Sequence, residues 1–286
     1  MTRPLRREDF RLELLLGLGT TGQVYLAHAP DGRPVALKIP RAEVHNDPAL
    51  RDRFAREVRL SLGLSHPHLV KGIAGKPYGK GAFLALEYFE EGSLEDRLHK
   101  GPLPRERALG YLGQLAEALL YLHRLGIVHQ DVKPANVFLR GEVAKLGDFG
   151  VARTREDAEP LERAGSPFYM APELFKGGEA TPASDAYSFG VLAYELLAGK
   201  RPFYGDTYAE LLAAHLTEKP PPLKGENPRI ARAVLGLLEK DPSERLGLTD
   251  FLRALEAPEE PPASSRPAEP QTPTRQLWRR FWRKKP

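Results

Sequence analysis

The sequence predicts an α+β protein of two lobes: a small β-rich lobe with one main helix, then a larger helical lobe. Three observations predict it. Residues 10–39 alternate apolar and polar side chains, are punctuated by glycine, and end in the apolar run RPVALKIP, the marks of strands. From Pro104 onward the apolar residues recur at helical spacing. At residue 257 the composition breaks, with six prolines by position 273 among Glu and Ser, as in a linker or disordered segment. The expected layout is a bilobal domain over 10–255, with the small lobe at about 10–88 and the large lobe at about 90–255. A Pro-rich linker at 256–274 and a basic tail at 275–286 complete it.

The elements follow in order. QVYLAHAP reads as a strand after a glycine-rich turn, and VALKI as the next. Residues 48–64 read as a helix with Leu50, Phe54 and Val58 on one face, and Asp47 as its N-cap ahead of Pro48. AFLALEYF (82–89) is a buried strand, and EEGSL after it a hinge or turn. Ala108, Tyr111, Leu112, Leu115, Leu119 and Leu122 form an apolar stripe that stops at Gly126, a C-terminal cap. Later helices fit 184–198, 207–217, 228–239 and 248–255. A cleft between two such lobes is a natural ligand site.

Charge narrows the partners. Of the 42 Lys and Arg, six lie in RQLWRRFWRKKP (275–286), which has no acid; the rest of the chain carries 36 bases against 38 acids. A nucleic-acid-binding body is not expected. With 41% hydrophobic and 28% charged residues over 286 positions, the chain has the composition of a soluble globular protein. It has no cysteine, so disulfides and thiolate metal sites are excluded and a reducing, cytoplasmic setting fits. The first residues lack the apolar run of a signal peptide, and no stretch has the roughly 18–20 apolar residues that cross a bilayer.

Four stretches carry chemistry. GLGTTGQV supplies Gly17, Gly19 and Gly22 before Val24, and glycines let backbone N–H groups approach an anion closely. A glycine-rich hairpin with no ligand has the same pattern. A dinucleotide fingerprint is excluded, because a strand follows where a helix is required. Lys38 sits in the apolar VALKI; it either points outward at an edge or pairs with a carboxylate, and Glu57 is the available partner. HQDVKPANV (129–137) spaces Asp131, Lys133 and Asn136 by neither a strand nor a helix period, so they share a loop. In KLGDFGVA, Asp148 is either a simple turn residue or, with Asn136, half of an oxygen-only ligand set that suits Mg²⁺. Together these residues form an apparatus for phosphoryl transfer. His66 and His68 flank a proline without a third metal ligand.

The ordered set is GxGxxGxV at 17–24, VALK at 35–38, Glu57, HQDVKPAN, DFG at 148–150, APE at 171–173, Asp185 to Gly190, and Arg245. On these motifs the chain resembles the eukaryotic-like (Hanks-type) protein kinases, most of all the bacterial serine/threonine kinases, over residues 10–255. The resemblance implies the protein-kinase fold, ATP and Mg²⁺ (Mn²⁺ as alternative), and protein substrates with Ser or Thr acceptors. It implies that Lys38 holds the α/β-phosphates and pairs with Glu57, and that Asn136 and Asp148 hold the metal. Asp131 would take the hydroxyl proton and Lys133 would steady the γ-phosphate. Val24, Ala36 and Phe138 would sandwich adenine, with Leu86 as gatekeeper and the backbone of Glu87 to Phe89 at its edge, and Leu16 would be a further ATP-binding residue. His129 and Phe149 would pack in the core, Glu173 would pair with Arg245, Asp185 would brace the catalytic loop, and the Ser166 side chain would brace Asp131 and Lys133. Two rival classes are a pseudokinase scaffold, against which the intact Lys38, Asp131, Asn136 and Asp148 speak, and a small-molecule kinase, which generally lacks the GSPFYMAPE segment.

One departure stands out. Family members usually carry Arg where Gln130 stands, to bind a phosphate on the activation loop, and Gln cannot make that charge-assisted contact. Between Thr154 and Ser166 there is no Ser, Thr or Tyr, while Glu156, Asp157, Glu159 and Glu162 crowd the segment, either as substitutes for a phosphate or as a solvated face. Activity independent of loop phosphorylation is therefore expected. On a helix the tail would gather Leu277, Trp278, Phe281 and Trp282 on one face and Arg279, Arg280, Arg283 and Lys284 on the other. It reads as an anchor to an anionic membrane surface at the cytoplasmic face. A latch on the body, a partner-docking segment and a stub before a missing transmembrane helix are the rivals.

Overall fold

The computed structural model describes residues 3–154 and 166–256. The expected linker, the tail and the acids at 156–162 lie outside these residues. The small lobe is a five-stranded antiparallel sheet in the order β1-β2-β3-β5-β4. Its strands are β1 (Arg11–Leu18), β2 (Gln23–His28), β3 (Pro34–Ile39), β4 (Gly72–Lys76) and β5 (Phe83–Glu87). Between β3 and β4 run α1 (Ala42–Asn46) and α2 (Pro48–Gly63). Asp47 caps α2 by accepting from the N–H groups of Ala49 (2.8 Å) and Leu50 (3.1 Å), and Pro48 loses nothing at a position whose N–H has no helical partner. Phe54 and Val58 of α2 pack with Val44 and Leu84, which fixes the helix on the sheet. Glu57, one position from Val58, is thereby carried toward β3.

The large lobe is built on two buried helices. In α4 (Arg105–Arg124), Ala108, Tyr111, Leu112, Leu115, Ala116, Leu119 and Leu122 are all buried. Gly126, at φ 72°, supplies the left-handed turn that stops the helix. Helix α6 (Pro182–Ala198) is buried almost all round and ends at Gly199, φ 70°. Around them lie α3 (Leu94–Leu98), α5 (Pro172–Phe175), α7 (Tyr208–Thr217), α8 (Pro228–Leu237) and α9 (Leu248–Glu256). Between α4 and α5 the chain makes four short strands: β6 (Ile127–Val128) with β9 (Arg153–Thr154), and β7 (Val137–Arg140) with β8 (Val143–Leu146).

The structure adds α1, β4 and α5, and it differs from the expectation in other places too. EEGSL turns at Gly92 (φ 75°), but Ser93 then caps α3 by accepting from the Asp96 N–H at 3.1 Å. The start of α6 lies two residues earlier than expected, because Pro182 is tolerated in the first turn behind Thr181. An apolar strand before Asp148 was anticipated, while β6, β7 and β9 were not: two- to four-residue strands carry little alternation to register as a pattern. They matter most for function, since they hold the loop 129–136 and the segment 147–152 side by side.

Candidate active site

The cleft-facing end of β3 carries Lys38, 7% exposed. Its Nζ lies 2.6 and 2.7 Å from the two Glu57 oxygens, so it points inward, and the outward alternative is excluded. Burial works against the ammonium, but the charges of Glu57 and Asp148 outweigh it and hold Lys38 above its ordinary pKa. Above Lys38 the glycine-rich turn closes through Gly19 N–H to Gly22 O at 2.8 Å. A Cβ at Gly22 would meet the Ile39 carbonyl oxygen at 2.7 Å, so that position needs glycine. Gly17 pairs with Val24 across β1 and β2, and Ala36 with Leu86 across β3 and β5. Leu16 and Leu18 are exposed, while Phe138 packs near Phe89 with centroids 5.7 Å apart.

The loop after β6 is fixed from below. Asp185, fully buried at the start of α6, accepts from the His129 N–H and the Gln130 N–H, both at 2.8 Å, and contacts His123 Nε2 at 2.8 Å. Gln130 is held at φ 68°, a left-handed conformation that costs a non-glycine residue of order 1–2 kcal/mol. His129 is fully buried; its Nε2 donates to the Gly147 carbonyl (3.0 Å) while its Nδ1 accepts from the Asp131 N–H (3.3 Å), and its ring lies edge-on to Phe149. That ring thus ties the Asp131 main chain to Gly147, the residue before Asp148.

Three groups converge on the Asp131 carboxylate. Lys133 Nζ and Asn136 Nδ2 each lie 2.8 Å from Oδ2, and the Ser166 N–H donates to Oδ1 at 3.0 Å. Ser166 reaches Asp131 through its main chain, where a side-chain contact was expected. Asn136 also donates to the Asp131 carbonyl at 2.8 Å, which leaves Oδ1 as its acceptor for a cation. Asp148 stands at φ 60° and accepts from the Gly150 N–H at 3.2 Å. Solvent reaches the residue, yet surrounding protein penalises its charge; the attraction of Lys38 and the Gly150 N–H overcomes that penalty and holds the carboxyl below its usual pKa. An oxygen-only pair of one carboxylate and one carboxamide fits a hard divalent cation that keeps waters or phosphate oxygens as its other ligands. Among the described residues no group of three or more His, Cys, Asp or Glu could hold a metal alone.

Some contacts at the site had no sequence signal. Thr21, buried at the tip of the glycine-rich turn, donates to Glu57 Oε2 at 3.3 Å. The Arg53 Nε donates to the Gly150 carbonyl at 2.6 Å, and the Gln130 side chain to the Val151 carbonyl at 2.8 Å. The Glu87 side chain turns away from the cleft to Lys145 (2.7 Å) and Arg140 (3.6 Å). It lines a groove of about 770 Å³ behind the β5 end, together with Arg140. In the large lobe Arg245 holds Glu173 in a two-pronged contact at 2.8 and 2.9 Å.

A lysine–glutamate pair, a glycine-rich turn, and a loop aspartate beside an asparagine and a second aspartate are the groups a phosphate-handling cleft would need. The profile of the protein kinase domain matches residues 10–255, and the chain belongs to that family. Membership implies ATP and a divalent metal ion as cofactors. The chain is 40% identical over 253 residues to the serine/threonine-protein kinase Pkn2 of Myxococcus xanthus, covering 82% of this chain and 30% of that protein. It is 36% identical over 285 residues to the serine/threonine-protein kinase PknA of Mycobacterium tuberculosis, covering 91% and 64%. To the serine/threonine-protein kinase Drp72 of Corynebacterium efficiens it is 35% identical over 279 residues, covering 93% and 53%. The chain thus spans less than two thirds of the length of each of these relatives. No helix among the described residues is long and apolar enough to cross a membrane.

Proposed function

We propose that this chain is an ATP-dependent protein serine/threonine kinase. The observation that carries the reading is the Asp131 carboxylate, held by Lys133, Asn136 and the Ser166 N–H across the cleft from the buried Lys38–Glu57 pair. Asp131 accepts the proton of the acceptor hydroxyl as its oxygen bonds to the γ-phosphorus and the bond to the bridging oxygen breaks, leaving ADP. Lys133, already beside Asp131, steadies the transferred group. Lys38 holds the α/β-phosphates under the backbone of Gly17, Gly19 and Gly22. Leu16, Val24, Ala36, Leu86 and Phe138 enclose the adenine, with the main chain of Glu87 and Phe89 along its edge. Asn136 and Asp148 hold Mg²⁺ in preference to softer ions, and the metal when bound neutralises phosphate charge.

The test is transfer of labelled phosphate to a generic protein acceptor, set against a panel of small hydroxylated compounds, with Asp131→Asn as control. Phosphoserine and phosphothreonine in the protein acceptor support the reading; product only in small compounds, or none from wild type, overturns it.

Independence from loop phosphorylation is supported by Gln130, whose side chain donates to a main-chain carbonyl and whose neutral amide offers no charge-assisted phosphate site. Thr154→Ala should retain most of the activity.

The tail, residues 275–286, is proposed to bind an anionic membrane surface from the cytoplasmic side, on the strength of its paired aromatics and six bases. Each base near the surface contributes about 1 kcal/mol, less as salt rises. Co-sedimentation with vesicles should need anionic lipid, fall with salt and vanish on deleting 275–286. Indifference to anionic vesicles at low salt would end this part of the proposal.

A further inference from the structure

Arg53 and Glu57 lie four residues apart on α2 and so share one face of the helix. Glu57 takes Lys38, while Arg53 Nε donates to the Gly150 carbonyl at 2.6 Å. From the other lobe the Gln130 side chain donates to the next carbonyl, Val151, at 2.8 Å. Two successive carbonyls, two and three residues after the metal-holding Asp148, are thus gripped from the two lobes. The surroundings make Gly150 the meeting point. A Cβ there would lie 3.0 Å from Asp148 Oδ1, 3.4 Å from Glu57 Oε2 and 3.8 Å from Arg53 Nε. Gln130 is itself fixed, since its strained backbone is tied to Asp185.

We propose that Arg53 and Gln130 form a two-point main-chain clamp that sets the segment after Asp148 and links the position of α2 to it. Arg53 is then a positioning residue for phosphoryl transfer, an inference that rests on the proposed kinase activity. Such a clamp needs only hydrogen-bond donors at 53 and 130. It therefore holds the segment without a phosphate, and any disturbance of α2 reaches Asp148 and Lys38 together.

The clamp makes a specific demand on variants of the full chain. Arg53→Met and Gln130→Met each remove one donor while keeping an unbranched side chain. Each should lower kcat by about tenfold, the loss expected for one hydrogen bond of this kind, with the KM for the protein acceptor unchanged. Arg53→Lys keeps a donor and should recover most of kcat. Releasing either grip frees the same segment, so the double variant should fall only slightly below the worse single one. Amide hydrogen exchange should quicken in residues 148–154 in each Met variant, with α4 and α6 unchanged. Unchanged exchange at 148–154, or a double loss equal to the product of the single losses, overturns the clamp. If the wild type transfers no phosphate, the kinase reading fails, and the exchange comparison still decides the clamp.

Discussion

Two short loops face the same cleft and are held in opposite ways. The catalytic loop has its turn pinned twice on Asp185, its histidine fully buried and bonded at both ring nitrogens, and its asparagine bonded twice to Asp131. The glycine-rich turn is held by few bonds: Gly19 to Gly22 within itself, Arg41 to the Thr20 carbonyl at 3.2 Å, and Thr21 to Glu57 at 3.3 Å. Leu18 beside it is 66% exposed. Each such bond is worth only about 1 kcal/mol net, so lifting this turn is easy and moving the catalytic loop is not. The difference matches the proposed tasks: a proton acceptor has to stay where the hydroxyl arrives, whereas a turn over the phosphates has to admit each nucleotide.

The comparison can be broken most severely at Asp131. Asp131→Asn should lower phosphoryl transfer by about 10²–10³-fold, the usual cost of one preorganised electrostatic element, and Lys38→Ala and Asp148→Asn should do likewise. Initial-rate assays check this, and near-normal turnover in any of the three contradicts the assigned roles.

Asp185→Ala attacks the brace. It strands two main-chain N–H groups, one of them on the strained Gln130, and should destabilise the chain by about 3 kcal/mol or more. Urea unfolding gives the loss directly, and a change under about 1 kcal/mol would show that the loop is held otherwise.

A third test concerns acid. His215 is fully buried, with Nδ1 against the Tyr187 hydroxyl (3.0 Å) and, among the described residues, no hydrogen-bond partner at Nε2. Burial first, and then the Lys240 charge, push its pKa down to about 4. Between about 6.5 and 4 the unfolded chain binds a proton that the folded chain refuses. Stability is therefore complete above that window and falls as pH drops through it, by up to about 3 kcal/mol. In His215→Gln the acid side of the stability profile should flatten relative to wild type; identical profiles would remove His215 from the account.

The smallest effect is expected at the lightly held turn. Thr21→Ala removes one long hydrogen bond, so the KM for ATP should shift by less than about threefold and kcat should hold. A hundredfold loss would mean that the turn is as rigid as the catalytic loop.

Much of this was legible in the sequence, for local reasons. Asp47 before Pro48 marked the start of α2, the stripe from Ala108 to Leu122 marked α4, and the run VALKI marked β3. Glu57 could be matched to Lys38 because both lie on long periodic elements, and their ends meet at 2.6 Å. What stayed hidden depends on partners far along the chain. Arg53 on α2 looks like any surface arginine until Gly150, 97 residues away, is brought beneath it. The left-handed backbones of Gln130 and Asp148 carry no glycine signal, since contacts to Asp185 and Gly150 hold them there. The strands β6 and β9, two residues each, are stabilised by packing and not by their own pattern.

The central claim is that the catalytic loop and the segment after Asp148 are set by the chain's own contacts and need no added phosphate. The direct measurement is the initial rate of transfer from ATP to a protein acceptor by the full chain after complete dephosphorylation, compared with the same sample rephosphorylated. The account predicts phosphoserine and phosphothreonine formed at the same rate in both. A rate near zero before rephosphorylation, restored after it, would contradict the account.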